Sequence, residues 1–300
     1  MSRKRGSRSR GTQANNGCNA SQTLRAYGSS LKTLSEKEKA EINAGVRHIL
    51  SEIGFEQLPK FLECFVDKKT IIKKNNRFCF GLELIDKCLK SFNNKILLHH
   101  QNRENYLDLS KGNVYFGTGG AAPLILDYER KVYRPSLGKD LLNAARVVDR
   151  LDNLSFFSRP LVLTDISDPN LMDIYTAVIS LSATKKHVMT SVANHKTVKS
   201  LAEVCYLIAG GEDAFRRSPF LSLNINFIIP PLRLDVEACE VMRESVKYGI
   251  PVMANVFGQR GASSPVSIVG SVCQTIAEAL SGLLICWLLD PDSKVICGPR

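Results

Sequence analysis

From residue 153 onward, short apolar runs alternate with longer stretches in which apolar residues recur every three or four positions. The short runs, LSFFSRPLVL (154–163), HVMTSVA (187–193), FLSLNINFII (220–229), PVMANVF (251–257) and KVICG (294–298), predict strands. The stretches between them, at 168–186, 195–210, 235–249 and 265–289, predict helices. Strand alternating with helix at this spacing gives parallel strands joined by right-handed crossovers. None of the strand ends carries the G-x-G-x-x-G turn of an open dinucleotide-binding sheet. In the third run Leu221, Leu223, Ile225 and Phe227 alternate with Ser222, Asn224 and Asn226, so one face packs on helices and the other turns polar groups toward a barrel axis. The expected fold class is α/β, a TIM-type (β/α)8 barrel truncated after about the fifth strand. The last run ends at Gly298-Pro299-Arg300, which leaves three strands missing and both sheet edges unpaired.

Upstream the period differs. EKEKAEINAGVRHILSEIGF and GLELIDKCLKSF place apolar residues at helical spacing, so 36–92 reads as helical. From 95, KILLHHQ and YLDLSKGNVYFGTGG predict two short strands around a Lys111-Gly112-Asn113 turn, followed by a helix near 136–151. Three segments result: a disordered basic tail (1–35), a helical N-terminal region with a small β section (36–152) and a partial β/α barrel (153–300). The run VSIVGSVCQTIAEALSGLLICWLL (266–289) has the length of a membrane span. However, Ser267, Ser271, Gln274, Thr275, Glu278 and Ser281 draw a polar stripe down it, and a mid-span glutamate is costly in lipid, so it reads as a buried packing helix.

Charge changes this picture little. The net charge is +11, but Arg3, Lys4, Arg5, Arg8, Arg10, Arg25 and Lys32 all precede Glu36, the first acidic residue, and the body is only mildly basic. A solvated tail is the expectation, and neither nucleic acid nor membrane is expected as a partner. The tail holds no apolar leader, and the nine cysteines form no C-x-x-C pair, so reduced thiols in a cytoplasmic protein are expected.

In a barrel, ligands meet the C-terminal strand ends. Arg159 and Asp165 follow the first run, Asn194 and His195 the second, Asn226 the third, and Asn255, Gln259 and Arg260 the fourth. The substrate-binding set expected is Asn194, His195, Asn226, Asn255, Gln259 and Arg260. Among them Asn226 and Asn255 are the stronger candidates, because amides at strand ends have both donors and acceptors to offer. The glycine-rich Gly117–Pro123 segment reads either as a turn or as an anion cradle built from backbone N–H groups. No metal-ligand spacing, G-x-S-x-G or Walker motif appears. Residue chemistry alone therefore leads to a large β/α domain with an amide-lined pocket.

The segments GNVYFGTGGAAPLILD (112–127), IAGGEDAFRRSPFLSLNINFIIPPLRLD (208–235), GASSPVSIVG (261–270) and CQTIAEALSG (273–282), and their order, resemble the trimethylamine:corrinoid methyltransferase family. The resemblance runs from about residue 37 to the end. It implies a TIM-type barrel that moves a methyl group from a methylated or quaternary amine, of trimethylamine or betaine type, to the cobalt of a separate corrinoid protein. It also implies that the corrinoid rides on that partner rather than on this chain, and that the complete enzyme is a homo-oligomer. Pyrrolysine, in the relatives that carry it, lies beyond this chain's reach. The Gln259-Arg260 insertion ahead of GASSP places a cation that suits a betaine carboxylate better than a bare amine. Because the chain reads as a fragment, the alternative is a non-catalytic amine-binding remnant of the same fold.

Overall fold

The computed structural model describes residues 26–27, 32–91, 96–110 and 112–299. Of the segment expected to be a disordered tail, all but 26–27 and 32–35 lies outside the described residues, as do Cys18 and Lys111.

Ala26–Tyr27 (β1) is followed by helix α1, Glu36–His48, whose start is fixed by a capping box. The Ser35 hydroxyl accepts from Glu38 N–H (3.3 Å), and the Glu38 carboxylate accepts from Ser35 N–H (2.7 Å). One wide helical turn, Ile49–Ile53, carries α1 to Gly54, and a 3₁₀ turn spans Lys60–Phe65. A hairpin then forms, β2 (Ile71–Lys74) against β3 (Arg77–Phe80), before α2 (Leu82–Ser91). The hairpin corrects the all-helical expectation for 36–92. Asn75 and Asn76, at φ +45° and +63°, make the two-residue turn that matches strand twist, and Phe78 and Phe80 pack beneath it.

Gly54 shows what this region tolerates. Its φ of 69° and ψ of −167° are open essentially to glycine, and a Cβ there collides with the Phe78 carbonyl. Gly54→Ala is expected to cost about 2–3 kcal/mol, from strain plus displacement of the hairpin, read as a lowered urea midpoint.

β4 (Leu97–His99) and β5 (Tyr106–Asp108) form a second hairpin, with its reversal at 100–105 rather than at the expected 111–113. Gly112 (φ +72°) instead leads into β6 (Asn113–Val114), which pairs with β1. A third hairpin, β7 (Leu124–Asp127) with β8 (Val132–Pro135), leads to α3 (Gly138–Asp149).

The remainder alternates as the periodicity predicts: β9 (Phe156–Ser158), α4 (Pro169–Ala183), β10 (His187–Thr190), α5 (His195–Ala209), α6 (Glu212–Arg217) and β11 (Leu221–Asn226). A small hairpin, β12 (Ile228–Ile229) with β13 (Arg233–Leu234), precedes α7 (Val236–Lys247), β14 (Val252–Val256), α8 (Ile268–Leu289) and β15 (Val295–Pro299). The fold is mixed α/β. Its main sheet has the order β15-β14-β11-β10-β9, every neighbouring pair parallel, so each strand lies beside the next in sequence.

The two sheet faces differ. Leu221, Leu223 and Ile225 join a large core with Leu201, Cys205, Met242 and Ala277 from the surrounding helices. On the opposite face Met189, Phe156, Met253 and Ile296 pack against Leu98 and Leu107 of the β4–β5 hairpin, which plugs the lower half of that face. In this layer His187 is fully buried: its Nδ1–H donates to the His99 carbonyl (3.0 Å), leaving Nε2 to accept from the Ser222 hydroxyl (3.0 Å).

By length and composition α8 could cross a membrane, but 67% of its most apolar window is buried inside the protein. Its polar stripe points inward. The Gln274 amide donates to the Ser263 carbonyl and to Glu278 Oε1 (both 3.0 Å), and Glu278 Oε1 also accepts from Leu232 N–H (3.0 Å). The stripe thus ties together the loops that follow β11 and β14. The eight described cysteines are free thiols, and burial pushes Cys88 up to about 11 and Cys297 up to about 12, away from the reactive thiolate.

Candidate functional site

The upper half of the polar face, at the C-terminal ends of the parallel strands, opens into a cavity of about 130 Å³. β9 contributes Ser158 and the following Arg159, β10 contributes Thr190 and the following Ser191, and β11 contributes Asn224 and Asn226. Two residues apart on one strand, Asn224 and Asn226 share a face. Asn255 is the register partner of Asn226 on β14 and so extends the amide row across the sheet. The side-chain amides of Asn224, Asn226 and Asn255 have no hydrogen-bond partner among the described residues, and these donors and acceptors are available to a ligand.

The fourth wall comes from the glycine-rich segment, which supplies Gly120 and Ala121. The segment runs along the outer edge of β9, through parallel bridges Gly117↔Phe156 and Ala122↔Leu161. Thr118 fastens it, its hydroxyl donating to the Ser158 carbonyl (2.6 Å) and accepting from Ser158 N–H (2.9 Å). The expectation of two unpaired edges is therefore corrected on this side, while β15 has no outer partner among the described residues. Gly120 sits at φ +80°, and a Cβ on Gly119 or Gly120 meets nothing within 4 Å. The glycines thus bend the backbone over the mouth without being packing requirements.

Arg159 is the one cationic side chain that lines the cavity. Its side chain is 18% exposed and makes no hydrogen bond among the described residues; its nearest anion is Asp173, at 3.9 Å from Nη1 to Oδ1. Asp173 is itself buried and accepts from Ala193 N–H (2.7 Å). Burial pushes the Asp173 carboxyl up, opposed by that N–H and by Arg159, and burial lowers Arg159, opposed by Asp173. The guanidinium stays charged from so high a starting point.

Of the residues predicted from sequence, Asn226 lines the cavity and Asn255 adjoins it. The others lie elsewhere. Asn194 caps α5, its side chain accepting from Lys196 N–H (2.9 Å). His195 is bound to Glu237, both backbone N–H (2.8 Å) and Nδ1 (2.7 Å) facing Oε1, which ties the start of α5 to that of α7. Gln259 and Arg260 are exposed on the loop after β14, where the Gln259 carbonyl accepts from three successive N–H groups, Ala262, Ser263 and Ser264. Arg260 consequently does not occupy the place of a carboxylate-binding cation in the cavity. Asp165 is engaged with Gly138 N–H at the start of α3 (3.1 Å), and burial raises the Glu278 carboxyl, which faces the loops rather than the cavity. Sequence reasoning passed over Thr190 and Ser191, and left Asn224, which it had read as axis-facing, the glycine-rich segment and Arg159 out of its set. Pro160, which cannot donate to a ladder, marked the strand end that exposes Arg159.

Comparison with known proteins fits this arrangement to a family. The trimethylamine methyltransferase (MTTB) family model matches residues 2–300. The chain is 27% identical over 281 residues to trimethylamine methyltransferase MttB of Desulfitobacterium hafniense, covering 91% of this chain and 55% of that protein. With trimethylamine methyltransferase MttB of Methanosarcina barkeri it shares 26% over 284 residues, covering 90% and 56%. It is also 23% identical over 266 residues to a glycine betaine methyltransferase of D. hafniense, covering 88% and 55%. The chain spans about half the length of the curated relatives it matches. From its first residues to its last strand, the chain belongs to the trimethylamine methyltransferase family.

Proposed function

We propose that this chain forms the amine-holding part of a methyltransferase, which moves a methyl group from a methylated or quaternary amine to the cobalt of a separate corrinoid protein. In this reading the sequential parallel sheet is the first five strands of a (β/α)8 barrel. The observation that carries the proposal is the cavity at the strand ends, lined by amides with no internal partners and by no acid–base pair.

That chemistry suits the reaction. From a quaternary or protonated ammonium the departing nitrogen would keep the electron pair of the broken C–N bond, and the acceptor's cobalt would supply the pair for the new bond to carbon, so no proton would have to be moved. The protein's task reduces to holding the C–N bond in line, which rigid side chains on adjacent strands can do. Asn224, Asn226 and Asn255 would orient the amine, and the open strand ends give the corrinoid protein its approach.

The test is a titration of the chain with glycine betaine and with trimethylamine, followed by incubation with cob(I)alamin as methyl acceptor. Saturable binding that Asn226→Ala weakens about tenfold, together with methylcobalamin formation, supports the proposal. Binding without transfer assigns the chain to amine binding alone. Absence of both removes the reading.

A further inference from the structure

A groove between α2 and the end of α8 has no part in the reading above. Its volume is about 350 Å³, against about 130 Å³ for the cavity at the strand ends. It opens at the other end of the sheet, since α8 starts beyond the C-terminal end of β14 and finishes ahead of β15. Phe65, Leu84, Trp287 and Leu288 make its walls apolar. The Trp287 indole N–H donates to the Ser91 hydroxyl (2.9 Å), which satisfies its polar edge and fixes the ring. The charges on the rim are unequally engaged. Asp67 is held by its own turn, accepting from Lys69 and Thr70 N–H and from the Thr70 hydroxyl. Glu83 faces Lys69 at 3.9 Å. Lys87 is the one charged group lining the groove with neither a hydrogen bond nor an ion pair among the described residues, and its Nζ stands over the Trp287 ring, 5.6 Å from the centroid.

We infer that this groove binds a small amphipathic anion, a carboxylate carried on an aliphatic chain. The chain lies along Phe65, Leu84 and Leu288, and the carboxylate meets Lys87. Concave apolar walls with one convergent charge are the usual make-up of a small-molecule site, and here the unmatched charge is positive. With Lys87 over the indole, a flat aromatic ligand has no room to stack on that face, whereas a flexible chain can pass beside it. A carboxylate also gives the ammonium the charge-assisted partner that it lacks within the protein. The groove shares no residue with the strand-end cavity, so the site holds whether or not the amine-binding reading does.

Trp287 is the chain's only tryptophan, so indole fluorescence reports on this groove alone. The experiment titrates the intact chain with octanoate, 1-octanol and octylammonium, which share a chain and differ in charge, and follows binding by indole emission and by calorimetry. Octanoate is expected to bind saturably, to change the emission, and to bind at least about tenfold more tightly than octylammonium, with octanol between them. Lys87→Gln should lower octanoate to the affinity of octanol and leave octanol unchanged. Lys139→Gln, which removes the same charge from the exposed start of α3, should leave all three unchanged. Lys87 and Lys139 are both exposed, and thermal melts check that the variants fold. Equal affinity for the three probes, or equal weakening of octanoate by the two variants, overturns the anion site. Calorimetric binding that leaves the indole emission unmoved places the amphiphile elsewhere and overturns it too, as does the absence of binding.

Discussion

Gly282→Val should be among the most destabilising single changes in the chain, lowering unfolding free energy by on the order of 4 kcal/mol. α8 lies against the sheet at Gly282 so closely that a Cβ there falls 2.6 Å from Phe227 Cζ, 2.8 Å from its Cε1 and 2.9 Å from Ala254 Cβ. Phe227 and Ala254 are both fully buried, so neither neighbour can swing into solvent. In an exposed helix interior, Gly→Ala gains about 1 kcal/mol from helix propensity. Here overpacking costs about 1–3 kcal/mol even for alanine, and valine adds a branch on the same side. Gly282→Ala therefore tests the sign: urea denaturation followed by circular dichroism should show a loss, and a gain would mean that the helix is not seated on the ring. Phe227→Leu is expected to be destabilising alone yet to recover part of the loss in the Gly282→Ala background. That coupling would locate the effect at the helix–strand contact.

The same contact shows how far a sequence can be read. The alternation that gives β9–β15 and their helices is strong because each element buries a full face, and burial enforces periodicity. Asn224 and Asn226 were legible as inward groups for the same reason: they interrupt an otherwise apolar strand on every second residue. The β2–β3 hairpin was missed because four-residue strands are too short to show a period, although the Asn75-Asn76 pair carried the turn signal. The glycine-rich wall was legible as a turn but not as part of the site. Its place depends on Thr118 meeting Ser158, forty residues away in sequence, and local pattern holds no information on that pairing. His195 and Arg260 were nominated for standing near strand ends, but the ring of one is bound to Glu237 and the other projects from an exposed loop. Proximity in sequence to a strand end does not establish which face of the sheet a side chain occupies.

Acid should loosen this fold through His187. Burial beneath the cavity lowers the imidazole to about 3, with His99 and His100 adding like-charge repulsion, so the folded state holds it neutral while the unfolded chain protonates it near its ordinary 6.5. The unfolded state thus binds the extra proton, and the stability held by the neutral ring is complete above about pH 6.5 and is lost as pH falls toward about 3. One proton is worth about 1.4 kcal/mol per pH unit, so this group alone withdraws roughly 2 kcal/mol between about pH 6.5 and 4.5. Burial also lowers His99 and His100, which add to the loss. Asp173 and Glu278, whose carboxyls burial raises, work in the opposite direction, since in the unfolded chain they ionise more readily than in the fold. The decisive measurement is therefore the difference between the wild type and His187→Gln across that window, by urea denaturation at stepped pH. Gln can still accept from Ser222 and cannot protonate, so its profile should be flatter by roughly 2 kcal/mol while its stability above about pH 7 is lower. Parallel profiles would mean that His187 is reached by water and that the β4–β5 hairpin does not seal the sheet beneath the cavity.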